Sequence, residues 1–174
     1  VRYASEVTPG RRLSFGDLAP ERRVGLGAAM EGLGDAMVMD DTGFLIEFIG
    51  RDKAARPGAI GAVGYCMGGR HVLCAAGTYP DRIQAAACLH GAGLVGQGVD
   101  SPHRIACGAH GELYLGHAER DQYAAPEVPA IIEQTLAACG VRHQSTVHPN
   151  TQHGYALPDR AIYDPQATRR DWDA

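Results

Sequence analysis

The chain has 174 residues, 45% of them hydrophobic and 21% charged, and a formal charge of −4. That length can bury one sizeable core in a single domain. The acidic balance, with Lys53 as the one lysine and no basic cluster, gives no case for a nucleic-acid partner. No apolar run approaches a membrane span and no signal-peptide hydrophobic stretch opens the chain, so no membrane partner and a cytoplasmic location are expected. Five cysteines, an odd number with no CxxC pair, read as free thiols rather than a disulfide framework. Eight histidines form neither HExxH nor a Cys/His ligand spacing, so no metal site is expected.

Val1 to Pro20 reads as irregular, with Pro9-Gly10 as a breaker. Glu21 to Gly34 carries Gly25, Gly27, Gly32 and Gly34, which predicts a weak or broken helix. Ala36 to Arg51 is a better helix, capped by Asp35, with Val38, Asp41/Thr42, Leu45, Phe48 and Ile49 on one mostly apolar face. A charged turn through Arg51-Asp52-Lys53 and Arg56-Pro57-Gly58 leads to Ile60-Gly61-Ala62-Val63, a short buried strand.

The strand runs into Gly64-Tyr65-Cys66-Met67-Gly68-Gly69, and Val72 to Ala76 continue at helical spacing. Strand, glycine-flanked turn and helix are the context of the G-x-S-x-G nucleophile elbow, with cysteine in place of serine. Such a turn strains its central residue, so Gly64 and Gly68 are expected where neighbours must lack side chains. A thiol at a helix N-terminus is biased toward thiolate by unpaired N–H groups and the helix dipole.

Further on, Ile83 to Leu89 and Glu112 to Leu115 read as strands, Pro126 to Ala138 as a helix ending at Gly140, and Gln144 to His148 as a last strand. Asp164-Pro165 opens a final helix that has barely begun where the sequence stops, and Val1 reads as mid-loop, so a partial domain is expected over residues 1–174. Alternation of strand and helix implies an α/β fold with a mostly parallel sheet and functional loops at the strands' carboxyl ends. Cys66, Asp121 and His153 each follow a predicted strand, in the order nucleophile, acid, histidine. One sheet edge would bring them together as a triad, with His153 against the Cys66 sulfur, Asp121 fixing its tautomer, and the Met67 N–H as an oxyanion donor.

From Gly61 onward the chain resembles the dienelactone hydrolase family of α/β hydrolases. The matching pieces are Val63-Gly64-Tyr65-Cys66-Met67-Gly68-Gly69, Gly116-His117-Ala118-Glu119-Arg120-Asp121 with Pro126-Glu127, and His153-Gly154-Tyr155 followed by Pro158-Asp159. Arg2-Tyr3-Ala4 is fainter and resembles the loop after an early strand. The resemblance implies an α/β-hydrolase-like sheet with helices on both faces and its N-terminal part missing. It implies hydrolysis of a small-molecule ester or enol-lactone through an acyl-thiol intermediate at Cys66, Asp121 and His153, with no cofactor. It also implies a second oxyanion donor and a glutamate from strands that precede this chain. Where dienelactone-specific members carry carboxylate-binding arginines, this chain has Ser5 and Leu157. A neutral ester or another lactone is therefore as good a substrate as dienelactone.

Tyr65, His90 and Tyr155 are expected to line the substrate site, and a supporting role for His117 is considered but not preferred. Cys74, Cys88 and Cys139 read as core, Cys107 as an oxidisable surface thiol, and His71 as outward-facing. Glu119 competes with Asp121 as the acid, and His148 with His153 as the base. Two other readings stand: a scaffold that binds without turnover, and a glutamine amidotransferase-like amidase in which His110-Gly111-Glu112 serves the cysteine. An open sheet edge allows either a monomer or a homodimer.

Overall fold

The computed structural model describes residues 19–174. Arg2-Tyr3-Ala4, Ser5 and the Pro9-Gly10 breaker lie outside them. Helix α1 (Pro20–Glu31) forms unbroken despite its glycines. Pro20 occupies the first turn, where its missing N–H costs nothing, and the Ala19 carbonyl accepts from the N–H groups of Arg22 and Arg23 at 3.0 Å. Gly25 and Gly27 cost about 1 kcal/mol each relative to alanine, which weakens a helix without ending it. This helix belongs to a compact unit that ends at Gly34; Asp35–Ala174 form another.

In the second unit, α2 (Asp35–Arg51) turns Met39 and Ile46 inward, seven residues apart on one stripe. Leu45 and Phe48, expected on that stripe, are 56% and 68% exposed instead. Asp35, expected as a cap, begins the helix and directs its carboxylate to Arg70 Nε at 2.8 Å.

Four strands follow: β1 (Ile60–Tyr65), β2 (Ile83–Leu89), β3 (Glu112–Arg120) and β4 (Arg142–Gln152). They pair in parallel in the order β1-β2-β3-β4. Helix α3 (Met67–Thr78) joins the first two, short α4 (Pro102–Ile105) and a 3-10 turn (Ala106–Gly108) precede β3, and α5 (Val128–Ala138) connects β3 to β4. Helix α6 (Pro165–Asp173) ends the chain, capped by Asp164, whose carboxylate accepts from the N–H groups of Gln166 and Ala167.

Period-two alternation divides the sheet's side chains between two layers. Ala86, Cys88, Leu113 and Leu115 join Leu73, Ile132 and Leu136 from α3 and α5 in the larger core. Leu89, Ala118 and Tyr155 pack with Ala167 of α6 in the smaller one. The fully buried leucines and isoleucine contribute roughly 1.5–3 kcal/mol each. The mostly parallel α/β sheet with helices on both faces is what the residue pattern and the family resemblance together imply.

Strands β3 and β4 both run longer than the apolar runs suggest. The polar Gly116–Arg120 stretch keeps pairing, Gly116 with Thr146, Ala118 with His148 and Arg120 with Gln152. His117 and His148 are buried within that extension at 4% and 0% exposure.

Cys107 and Cys139 are not free thiols: a disulfide joins them, with Cα atoms 5.5 Å apart. Cys107 sits in the 3-10 turn and Cys139 at the end of α5, a long-range pair that no local spacing announces. Closing a loop of 32 residues between them restricts the unfolded chain and stabilises the fold by about 3–4 kcal/mol in the chain-entropy treatment. The double variant Cys107→Ser/Cys139→Ser is expected to lose about 3 kcal/mol in urea unfolding. A wild-type midpoint that does not move on reduction counts against the pairing.

Candidate active site

Each strand's carboxyl end delivers one residue to the same edge: Cys66 after β1, His90 after β2, Asp121 after β3 and His153 after β4. Cys66 sits between β1 and α3 with φ 54° and ψ −121°, a left-handed backbone that costs on the order of 1–3 kcal/mol for a non-glycine residue. Local bonds hold it there. Its N–H donates to Leu89 O at 3.1 Å, and its carbonyl accepts from Gly69 and Ala92 at 3.0 Å each.

The glycines explain the approach of α3. A Cβ on Gly64 would collide with the backbone carbonyl of Gly68, and one on Gly69 would lie 2.8 Å from Cys88 Sγ. Gly68, expected to be required for its own lack of a side chain, has open space around its Cβ direction. Its part is to supply the backbone against which Gly64 rests.

His153 Nδ1 lies 2.8 and 2.9 Å from the two carboxylate oxygens of Asp121, and the side chains are 8% and 5% exposed. Asp121 also accepts from the Tyr123 N–H at 2.8 Å, which fixes its rotamer. His153 Nε2 is buried and faces no nitrogen or oxygen partner in the protein; the neighbour whose titration it influences is the Cys66 thiol. Hydrogen bonding with His153 lowers that thiol; burial opposes the shift, and the imidazolium charge and the Met67 N–H reinforce it. Burial in turn works against charge on His153, but the hydrogen bonds to Asp121 and Cys66, with their charges, raise the ring to about 9. The arrangement favours a thiolate–imidazolium pair.

Cys74 and Cys88 contrast with this. Burial pushes both thiols up to about 12, as befits core residues. Among the described free cysteines, Cys66 alone is shifted toward thiolate.

His90 has φ 39° and is 1% exposed, its ring centroid 5.0 Å from that of His153 and 5.8 Å from Tyr65. Burial drives it down to about 4, so it stays neutral beside a charged His153. Tyr155, expected to line the substrate site, is wholly buried behind it, because its hydroxyl donates to Asp171. His117 is likewise buried and held neutral, down to about 4. His71 is not outward-facing; its side chain is 14% exposed and 3.4 Å from Asp35.

The rival assignments separate cleanly. His148 Nε2 is engaged with Asp171 at 2.6 Å, and Glu119 accepts from the Asn150 N–H at 2.8 Å, so neither replaces its competitor. His110 precedes β3 and pairs with exposed Asp81 at 3.2 Å, and Glu112 begins that strand. Both lie at the amino edge of a parallel sheet, opposite Cys66. The amidase arrangement therefore does not exist here.

Sequence reasoning missed Tyr123, whose ring stands edge-on to His153 at 4.6 Å and is 57% exposed. Its place two residues after Asp121, in an aspartate turn, was the available signal. Among the described residues no cluster of His, Cys, Asp or Glu could hold a metal ion, and no helix is long and apolar enough to cross a membrane.

The architecture is that of an α/β hydrolase. The sequence pattern of the dienelactone hydrolase family matches residues 12–174, and the chain belongs to that family. Among solved structures it is similar to a protein from Klebsiella pneumoniae subsp. pneumoniae assigned as a dienelactone hydrolase, with 22% identity and a TM-score of 0.74 over 83% of this chain and 60% of that one. It also resembles a dienelactone hydrolase-like promiscuous phosphotriesterase from metagenomic libraries, with 19% identity and a TM-score of 0.70 over 86% and 64%. A more distant likeness is dipeptidyl peptidase 4 of Porphyromonas gingivalis, at 14% identity and 0.65 over 80% and 22%. The chain thus spans less than two thirds of the length of each. No curated protein matches it significantly.

Proposed function

We propose that this chain carries the catalytic edge of a hydrolase that cleaves a carboxylic ester or lactone through an acyl-thiol intermediate. The observation that carries this reading is the strained Cys66 crest, its thiol lowered by an imidazole that Asp121 holds at 2.8 Å. The Cys66 thiolate attacks the carbonyl carbon, and the Met67 N–H donates to the developing oxyanion. Collapse breaks the C–O bond as His153 gives its proton to the leaving oxygen, producing the thioester. Neutral His153 then takes a proton from water, which attacks the thioester; the thiolate leaves and the acid product departs.

Leu157, where the family's dienelactone-specific members have an arginine, favours a neutral acyl group over a carboxylate-bearing one. A cytoplasmic location remains our proposal, although the Cys107–Cys139 bridge is of a kind commoner in oxidising compartments, and cell fractionation tests it.

Turnover of p-nitrophenyl acetate against pH tests the chemistry. We expect a bell for kcat/KM, rising through the lowered thiol and falling near 9 as His153 loses its proton. Iodoacetamide alkylation of Cys66 should follow the same acid limb, ahead of Cys74 and Cys88. Well-folded protein without turnover, with Cys66 alkylated no faster than an ordinary thiol, supports the binding-scaffold reading instead.

A further inference from the structure

Asp171, on α6, belongs to none of the groups above, yet its carboxylate is fully enclosed and collects three hydrogen bonds. Tyr114 OH from β3 and His148 Nε2–H from β4 donate to Oδ1 at 2.8 and 2.6 Å, and Tyr155 OH donates to Oδ2 at 2.8 Å. Arg170 Nε donates to His148 Nδ1 at 3.3 Å, which leaves the His148 proton on Nε2, facing Asp171. Space for this knot depends on Gly116, whose Cβ would lie 2.6 Å from both Asp171 Oδ1 and Tyr155 OH. A carboxylate without water is costly unless every oxygen is engaged, and here both are.

What the knot holds is the segment after the histidine. Tyr155 follows His153 by two residues, and its ring stands edge-on to His90 at 5.4 Å, as His90 does to His153 at 5.0 Å. Both ring nitrogens of His90 are buried with no hydrogen-bond partner in the protein. The His90 N–H holds to Gly116 O at 2.7 Å, and ring packing orients the imidazole, with Tyr155 one of the surfaces it packs on.

We propose that Asp171 is a positioning residue for His153, pinning Tyr155 and, through the ring contacts of Tyr155 and His90, setting the imidazole against the Cys66 thiol. The inference rests on the catalytic reading above for its kinetic readout. Asp171 thus acts on the site from α6, through Tyr155 and His90, without touching the reacting atoms.

The test uses the full chain with Asp171→Asn and Tyr155→Phe, and Asp164→Ala as the control. Asp164→Ala removes the α6 cap, lowering Tm without touching the carboxylate knot. The first two variants should lose about tenfold or more in kcat with KM little changed, and their alkaline pH limb should move below the wild-type position. The control should keep both. Wild-type kcat and pH limb in Asp171→Asn and Tyr155→Phe, or the same kcat loss in Asp164→Ala, overturn the proposal. If Asp171→Asn does not fold, Tyr155→Phe, which keeps the ring, decides alone. If wild type shows no Cys66-dependent turnover, the catalytic reading fails separately, and the His153 imidazole NMR titration decides: displaced in Tyr155→Phe but not in Asp164→Ala it supports positioning, and unmoved it refutes it.

Discussion

Cys66→Ala is expected to lower kcat/KM for p-nitrophenyl acetate by about 10⁴-fold or more while leaving the unfolding midpoint within the range of a surface change. The size follows from what the sulfur does. In the proposed reaction it forms and breaks the bond to the acyl carbon, so without it only binding and the Met67 N–H would remain to assist attack by water. The small stability effect follows from the backbone. Cys66 is held by main-chain bonds from Leu89, Gly69 and Ala92, none of which needs the thiol. Alanine keeps the φ 54° strain already present, so the fold should not resist the change. Steady-state kinetics beside a urea curve check both halves; turnover that survives intact moves the nucleophile elsewhere.

Asp121→Asn should cost about 10⁴-fold in kcat at neutral pH and leave the protein folded. The carboxylate does two things here. It lies 2.8–2.9 Å from Nδ1, and in the proposed mechanism it thereby leaves Nε2 free to exchange a proton at the sulfur and stabilises the imidazolium. An amide can present its NH2 to Nδ1, which turns the ring proton toward Cys66 and removes the base. His153, now at about 9, then falls toward its ordinary range, and thiolate formation loses its main support. Iodoacetamide rates against pH read this without a substrate: the acid limb of Cys66 should shift upward in Asp121→Asn. An unchanged limb would show that the carboxylate does not govern the pair.

How much of this was legible from residues alone differs by region. Glycine spacing around Cys66 exposes the elbow because close packing of a helix on a strand leaves few alternatives to glycine, and Gly64 and Gly69 bear that out sterically. The strand pattern foretells which loops share an edge because parallel strands all point one way. The lengths of β3 and β4 are hidden, since Gly116–Arg120 is polar and is made strand by partners rather than by its own apolarity. The inner face of α2 is hidden for a related reason: its phenylalanines are exposed, and only its packing against α3 shows that Met39 and Ile46 turn inward. Asp171 could not be found at all. Its meaning comes from Tyr114, His148 and Tyr155, which the fold brings together from three separate elements. The same is true of Cys107 with Cys139.

That bridge has a practical corollary at the bench. It ties the turn before β3 to the end of α5, at the sheet's amino edge, whereas Cys66 stands at the carboxyl edge. Dithiothreitol added to protect one sulfur from oxidation would attack the other two. Purification buffers should therefore carry a mild monothiol or exclude air, so that the staple stays closed while the reactive thiol stays reduced.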